Sequence, residues 1–226
     1  MILVFASSKG GVGKSTTCAA LGAALALEGS KVLILDLDQN RTVHRWSRKT
    51  AIPGLTVDAV TPGNFTAALK DKLGAGGFDH ILIDLAGARE VTLFKAIARS
   101  DLVIIPAQAS EPDIREALVI ASDVRDVEET ANRKIPYRLL LTKMYPLRTR
   151  VTDFAYAELA RLGLPMFKTV LVERTAYREM FLNGEPPTKL ESGKGAGAEI
   201  AALLDEIEEI IDPAAFQAQP QFQAAG

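Results

Sequence analysis

The chain has a single cysteine, Cys18, and this scarcity excludes a disulfide within the chain. One thiol per chain also disfavours an iron–sulfur role. A protein without disulfides fits the reducing cytoplasm, which is the expected location. Because Cys18 falls among small residues of helical composition, we expect a buried and unreactive thiol.

The sequence also lacks an apolar run long enough to cross a bilayer, and its first residues enter a strand without a signal-peptide pattern. We therefore expect no membrane insertion. No internal repeat and no long linker divides the 226 residues. Hydrophobic residues make up 48% of the chain and charged residues 24%, so the composition and length fit one globular domain.

Charge is unevenly distributed, although the net charge is only −2. Residues 133–194 carry 12 basic and 6 acidic side chains, whereas residues 195–226 carry 6 acidic and no basic ones. The basic stretch indicates a surface that attracts polyanions. The acidic end argues against a cationic membrane anchor, because such helices present Lys and Arg to anionic lipids.

Apolar, β-rich segments alternate with segments of helical composition over most of the chain. This alternation predicts a single-domain α/β fold with a doubly wound, mostly parallel sheet and ligands at the carboxyl ends of the strands. The predicted strands are Ile2–Ala6, Val32–Asp36, Leu55–Val60, His80–Leu85, Leu102–Ala107, Arg138–Thr142 and Met166–Val170. The predicted helices are Lys14–Glu28, Arg41–Lys49, Asn64–Leu73, Glu90–Ala98, Pro112–Thr130, Val151–Leu162, Ala176–Leu182 and Ala196–Ile211. We expect residues 1–212 to form the domain and residues 213–226, rich in Ala, Gln and Pro, to form a disordered tail.

The segment Ser-Lys-Gly-Gly-Val-Gly-Lys-Ser-Thr at residues 8–16 follows the first predicted strand and opens the first predicted helix. Glycines at such a turn let backbone N–H groups approach a phosphate, and the helix N-terminus faces the anion. In a phosphate-binding loop (P-loop), Lys14 reaches the β- and γ-phosphates and Ser15 binds Mg²⁺. The residues expected to contact the nucleotide are Gly10, Gly11, Val12, Gly13, Lys14, Ser15 and Thr16. The alternative, a glycine-rich loop without function, is disfavoured by the strand–loop–helix context.

This loop departs from the common pattern G-x-x-x-x-G-K-[ST], because Ser8 stands where that pattern has glycine and Lys9 precedes the glycine pair. It resembles the deviant Walker A motif, K-G-G-x-G-K-[ST], of the ParA/MinD class of ATPases. The resemblance implies ATP and Mg²⁺ as cofactors, a weak ATPase activity stimulated by a partner, and an ATP-dependent homodimer. It also implies that Lys9 reaches the nucleotide of the partner subunit; the alternative is a solvated loop lysine.

Three carboxylates at predicted strand ends extend the pattern. Asp36 and Asp38 leave the second strand on one side of the chain and resemble the D-x-D segment of ParA-like ATPases. The resemblance assigns Asp38, with Lys9 and Lys14, to catalysis, and Asp36 to the loop and metal shell; two helix-capping aspartates are the alternative. Asp84 ends an apolar run, as does a Walker B carboxylate that holds Mg²⁺.

The base pocket is expected after the sixth predicted strand, where ATPases of this class recognise adenine. The resemblance places Thr142 and Lys143 there, together with Leu171, Val172 and Glu173 after the next predicted strand. Backbone carbonyls often recognise the base in this class, so these assignments rest on position alone.

The resemblance to the ParA family covers roughly residues 1–210. The segment from Asp38 to Trp46 looks most like short partition ATPases and VirC-type ATPases that assist DNA transfer, and Trp46 itself is expected to pack in the core. The family implies non-specific DNA binding, association with the nucleoid in the ATP state, and a small ParB-like adaptor as partner. The DNA-binding candidates are Arg148, Arg150, Lys168, Arg174, Arg178, Lys189 and Lys194. An ordinary solvated charged face is the alternative.

Three classes of function remain open at this point. An ATPase that segregates or positions plasmid DNA, chromosomal DNA or another cargo fits the patterns best. A MinD-like, membrane-cycling ATPase needs a basic amphipathic C-terminal helix, whereas the segment Glu199–Ile211 is acidic. A metabolic P-loop enzyme or an ATP-driven reductase needs further cysteines or a substrate motif.

Overall fold

Six parallel strands form one sheet in the computed structural model, which describes residues 1–87, 91–147, 149–187 and 195–212. The strands are β1 (Ile2–Phe5), β2 (Val32–Asp36), β3 (Leu55–Ala59), β4 (His80–Asp84), β5 (Leu102–Ala107) and β6 (Tyr137–Leu141). The helices are α1 (Lys14–Leu27), α2 (Thr42–Ser47), α3 (Phe65–Ala75), α4 (Val91–Ile97), α5 (Glu111–Ala131), α6 (Arg150–Arg161), α7 (Thr175–Asn183) and α8 (Ala196–Ile211). The strand order is β3-β2-β4-β1-β5-β6, which confirms the predicted doubly wound α/β fold.

Helices cover both faces of the sheet, and two apolar clusters result. Helices α1, α2, α7 and α8 pack on one face, while α3, α4, α5 and α6 pack on the other. Strands β2 and β5 are buried along their whole length, as their unbroken apolar sequences predict for central parallel strands. Cys18 is fully buried in α1, which confirms the expected burial, and this burial raises the pKa of its thiol.

The predicted seventh strand, Met166–Val170, is wrong. This segment follows the open edge of β6 but pairs with it through a single bridge at Leu139. The N–H groups of Lys168 and Thr169 donate instead to the Glu206 carboxylate on α8, each at 2.7 Å. The Glu206 carboxylate therefore takes the place of strand carbonyls as hydrogen-bond acceptor, and the segment is an extended connection between β6 and α8.

The ends of the helices differ from prediction by a few residues. Helix α2 is shorter than expected, because Arg41 has a left-handed φ of 48° and lies outside it. Ser110 caps α5 by accepting a hydrogen bond from the N–H of Asp113. Glu90, the predicted start of α4, and the expected tail at 213–226 lie outside the described residues. Among the described helices, none is long and apolar enough to cross a membrane.

Candidate nucleotide-binding site

The P-loop follows β1 at the carboxyl edge of the sheet, next to the end of β4. Gly11 and Gly13 have φ angles of 78° and 91°, a left-handed conformation that glycine adopts readily and other residues rarely do. Gly13 is also the N-cap of α1 and provides no side-chain cap, so the first N–H groups of the helix face the loop and can bind an anion.

Gly87, just after β4, lets that strand's loop approach the P-loop closely. A Cβ atom on Gly87 would lie 3.2 Å from the backbone nitrogen of Gly10 and 3.3 Å from the carbonyl of Lys9. On the other side, Thr142 donates a hydrogen bond to the Val12 carbonyl at 2.8 Å. The ends of β4 and β6 therefore hold the P-loop between them.

Lys14 is nearly buried, with 5% of its surface exposed. Its Nζ donates to the Lys9 carbonyl at 3.0 Å, so the side chain runs back along the concave side of the loop. Burial lowers the pKa of Lys14, while the charges of Asp84 and Asp38 act in the opposite direction. This position brings a poorly solvated cation to the place where a P-loop holds phosphate.

Asp84 is fully buried at the end of β4. Neither carboxylate oxygen has a hydrogen-bond partner among the described residues. Burial raises the pKa of Asp84 to about 7, and the nearby Ser15 hydroxyl and Lys14 ammonium oppose that shift. Buried oxygens of this kind need a cation or a proton, which fits a Mg²⁺ ligand.

Asp36 lies beside Asp84 in the register of β2 and β4, but its oxygens are already used. One accepts the N–H of Asp38 at 3.0 Å and the other accepts the N–H of His44 at 2.9 Å. Burial raises the pKa of Asp36, and these backbone hydrogen bonds oppose the rise. Asp36 therefore fixes the D-x-D loop and the start of α2. Asp38 is partly exposed at the same edge, and it accepts the N–H of Asn40 at 2.7 Å.

Lys9 does not point freely into solvent. Its Nζ lies 2.7 Å from Oδ1 of Asp113, a buried carboxylate in the first turn of α5, while the Lys9 side chain stays 45% exposed. The other oxygen of Asp113 accepts the Ser110 hydroxyl at 2.6 Å. Ser8 donates to Glu116 one turn further along α5. The first part of the P-loop is thus attached to α5 through two residues, Asp113 and Glu116, that sequence analysis missed.

A cavity of about 210 Å³ lies beside the first turn of α1, and both segments predicted to form the base pocket, 142–143 and 171–173, line it. The residues that line it are Gly13, Thr16, Thr17, Thr142, Lys143, Leu171, Val172, Glu173, Arg174, Tyr177, Arg178 and Phe181. The cavity adjoins the P-loop through Gly13 and Thr16, so one ligand can occupy both. Its position suits a base attached to phosphates in the loop.

Glu199 on α8 supports the wall of this cavity from behind. Its carboxylate accepts the N–H of Val172 at 3.1 Å, the hydroxyl of Tyr177 at 3.0 Å and Nε of Arg174 at 2.7 Å. Burial raises the pKa of Tyr177, and the charge of Glu199 adds to the shift, so the phenol stays protonated and donates. Sequence analysis missed Glu199, because an isolated glutamate on a helix carries no local signal.

The DNA-binding candidates among the described residues have different surroundings. Arg174 pairs with Glu199 and Arg178 pairs with Glu173, and both arginines line the base cavity. Arg150 is exposed at the start of α6. Lys168 lies in a groove beside the start of β6, with Glu206 and Glu209. The remaining candidates, Arg148, Lys189 and Lys194, lie outside the described residues.

A parallel sheet in this order, with a K-G-G-x-G-K-S loop after β1 and carboxylates after β2 and β4, defines a P-loop ATPase of the ParA/MinD class. A family model described as "VirC1 protein" matches residues 1–185. The chain therefore belongs to the VirC1 family, one of the groups that the D-x-D region resembles.

Individual relatives agree with this assignment. The chain is 31% identical over 210 residues to protein ParA of Rhizobium radiobacter, covering 92% of both chains. It is also 31% identical over 185 residues to protein virC1 of Rhizobium rhizogenes, covering 79% of each. Among solved structures, it resembles a plasmid partition protein from Borrelia burgdorferi B31 bound to AMPPNP, with a TM-score of 0.73 and 22% identity over 92% of this chain and 98% of that one.

Proposed function

We propose that this protein binds ATP with Mg²⁺, hydrolyses it to ADP and phosphate, and dimerises in the ATP state. The dimer binds duplex DNA without sequence preference and positions plasmid or chromosomal DNA, or another cargo. One observation carries the proposal: a P-loop with a buried Lys14 lies beside Asp84, and the buried oxygens of Asp84 have no hydrogen-bond partner among the described residues. That pair of opposite charges suits a nucleotide phosphate and its cation.

Each residue of the site has a distinct role in this proposal. Lys14 and the loop N–H groups bind the phosphates, and Ser15 and Asp84 hold Mg²⁺. The metal supplies charge neutralisation on the phosphates, which is the main requirement of phosphoryl transfer. Asp38, partly exposed beside the loop, orients the attacking water.

Dimerisation in the proposal depends on Lys9. In one subunit Lys9 pairs with its own Asp113, but almost half of the lysine side chain is exposed, as are Gly10 and Gly11. The lysine exchanges Asp113 for the nucleotide of the partner subunit when two ATP-bound subunits meet. A small ParB-like adaptor is the proposed stimulating partner, and association with the nucleoid follows from DNA binding.

The observations favour different cargoes to different degrees: transfer DNA, partitioned DNA or a membrane. A VirC-type role in conjugative DNA transfer is favoured by the family match over residues 1–185. A partition role is favoured by the ParA relative, which covers more of the chain. A MinD-like membrane cycle is disfavoured, because α8 carries acidic residues rather than a basic amphipathic face: Glu199, Asp205, Glu206, Glu208 and Glu209.

The experiment measures ATP binding, hydrolysis and dimer mass in parallel. We expect Asp38→Ala to bind MgATP with the affinity of the parent, to lose hydrolysis, and to accumulate as a dimer in sedimentation velocity. Adding Lys9→Ala to that variant should keep ATP bound and return the protein to a monomer. Lys70→Ala, an exposed lysine on α3, is the matched control. Parent-like hydrolysis in Asp38→Ala, or a dimer of unchanged affinity without Lys9, would refute the corresponding role.

A further inference from the structure

Exposed positive charge is concentrated on and beside helix α2, close to the D-x-D loop. Residues 39–57 contain four Lys or Arg side chains and no Asp or Glu. Arg41, Arg45 and Arg48 are exposed, and no described residue forms an ion pair or side-chain hydrogen bond with them. Lys49 differs, because its Nζ donates to the Phe181 carbonyl at 2.8 Å.

The three arginines are spaced along α2: Arg45 lies in the helix, Arg41 is its N-cap residue and Arg48 is its C-cap residue. Their spacing of four and then three residues repeats with the helical turn, and the N–H of Arg45 donates to the Arg41 carbonyl at 2.9 Å, which keeps Arg41 in that turn. The six residues of α2 rise about 9 Å. That length spans about three base-pair steps of a DNA strand, at 3.4 Å each.

The surroundings of these three arginines favour a duplex backbone over other polyanions. Trp46, the aromatic residue of α2, is 1% exposed and packs against Phe181, so it cannot stack on the bases of a single strand. None of the exposed large apolar side chains of the described ranges lies between residues 39 and 57, so the surface has no group to insert into a lipid layer. Guanidinium groups match phosphate geometry well.

These arginines are also connected to the nucleotide site. Asp36 accepts the N–H of His44 in the first turn of α2, and the same carboxylate accepts the N–H of Asp38. A change at the D-x-D loop therefore reaches the helix that carries Arg45. By contrast, Arg174 and Arg178, from the basic C-terminal stretch, have their charges balanced by acidic partners.

We propose that Arg45 on α2, with Arg41 and Arg48 at its two ends, forms a contact surface for the phosphate backbone of duplex DNA. This inference rests on the proposed DNA-binding function and assigns a surface to it. Three phosphate contacts per subunit contribute about −2.7 to the slope of log K against log salt concentration, since each neutralised phosphate contributes about −0.9. A fourfold increase in salt then weakens this part of the binding about 40-fold.

The test is fluorescence anisotropy with a labelled duplex, MgATP and several salt concentrations, in the Asp38→Ala background. The variant Arg41→Ala/Arg45→Ala/Arg48→Ala should bind duplex DNA at least about tenfold more weakly at low salt and have a shallower salt slope. The matched control removes three exposed cations on the other face of the sheet, Lys70→Ala/Lys95→Ala/Arg99→Ala, and should behave like the parent. ATP binding should be equal in all three proteins.

Each outcome separates this inference from the function on which it rests. If the parent binds no duplex while dimeric and ATP-bound, both the DNA function and the α2 surface are wrong. If the parent binds but the α2 variant keeps its affinity and slope, or the control loses as much, the α2 surface alone is overturned. Should the triple variant fail to fold, Arg45→Ala alone must still reduce the slope by about 0.9.

Discussion

Replacing Asp113 with asparagine should strengthen the ATP-dependent dimer. In the structure Asp113 holds Lys9 within its own subunit at 2.7 Å, whereas the proposed dimer needs Lys9 at the partner's nucleotide. Asparagine keeps the shape of the side chain and can still accept the Ser110 hydroxyl, so the start of α5 should remain intact. Only the attraction for the lysine is lost.

The size of the effect follows from the exposure of the pair. Lys9 is 45% exposed, so solvent screens the interaction even though Asp113 is buried. A contribution of about 0.5 to 1 kcal/mol per subunit is appropriate for such a pair. A dimer breaks two pairs, so the variant should associate about 5- to 30-fold more tightly. The gain should shrink as ionic strength rises.

Sedimentation velocity over a range of protein concentrations measures this change, with MgATP and the Asp38→Ala background to prevent turnover. Glu111→Gln is the matched control, because it removes one negative charge from the same helical turn but pairs with Arg115 on the surface. A dimer of unchanged or lower affinity in Asp113→Asn, with the control equal to the parent, would refute the reasoning. The pair would then be a structural contact that dimerisation leaves in place.

Two further predictions concern the carboxylates of Asp84 and Glu199. Burial raises the pKa of Asp84 to about 7, so its charged form is disfavoured in the folded protein. Without Mg²⁺, the free energy of unfolding should therefore fall by up to about 4 kcal/mol as pH rises from about 4 to 7. Urea titrations at several pH values measure this fall, which should be smaller in Asp84→Asn. Identical pH profiles for both proteins would contradict the assignment. Glu199→Ala should weaken ATP binding about tenfold in calorimetry while inorganic triphosphate binding stays unchanged, because Glu199 supports the base cavity and not the P-loop. Equal losses for both ligands, or any loss in the exposed control Glu208→Ala, would argue for a general structural effect.

The sequence predicted those features whose signals are local. Unbroken apolar runs located central strands such as β2 and β5, since strands covered on both faces need no alternation. The P-loop could be located because its glycines, Lys14 and Ser15 are neighbours in sequence. The seventh strand was predicted wrongly because Met166–Val170 has strand composition, while its backbone donors are taken by Glu206, some 40 residues away.

Long-range pairing accounts for the rest of what sequence analysis missed. Ser8 and Glu116 are separated by 108 residues, and no local sequence pattern around either residue predicts the hydrogen bond between them. A count of charges by segment could not show that Arg174 and Glu199 neutralise each other, because they belong to segments of opposite net charge. Conversely, the arginines on and beside α2 lie in a part of the chain whose overall charge is negative, so the segment totals hid them.

Calorimetric titration of MgATP into the parent and into Lys14→Ala tests the central claim most directly. The parent should bind with 1:1 stoichiometry per subunit, and Lys70→Ala should bind equally well. Lys14→Ala should show no detectable binding while its thermal unfolding stays cooperative, because the P-loop loses the buried cation that faces the phosphates. Undiminished affinity for MgATP in the folded Lys14→Ala protein would contradict the assignment of this loop as the nucleotide site.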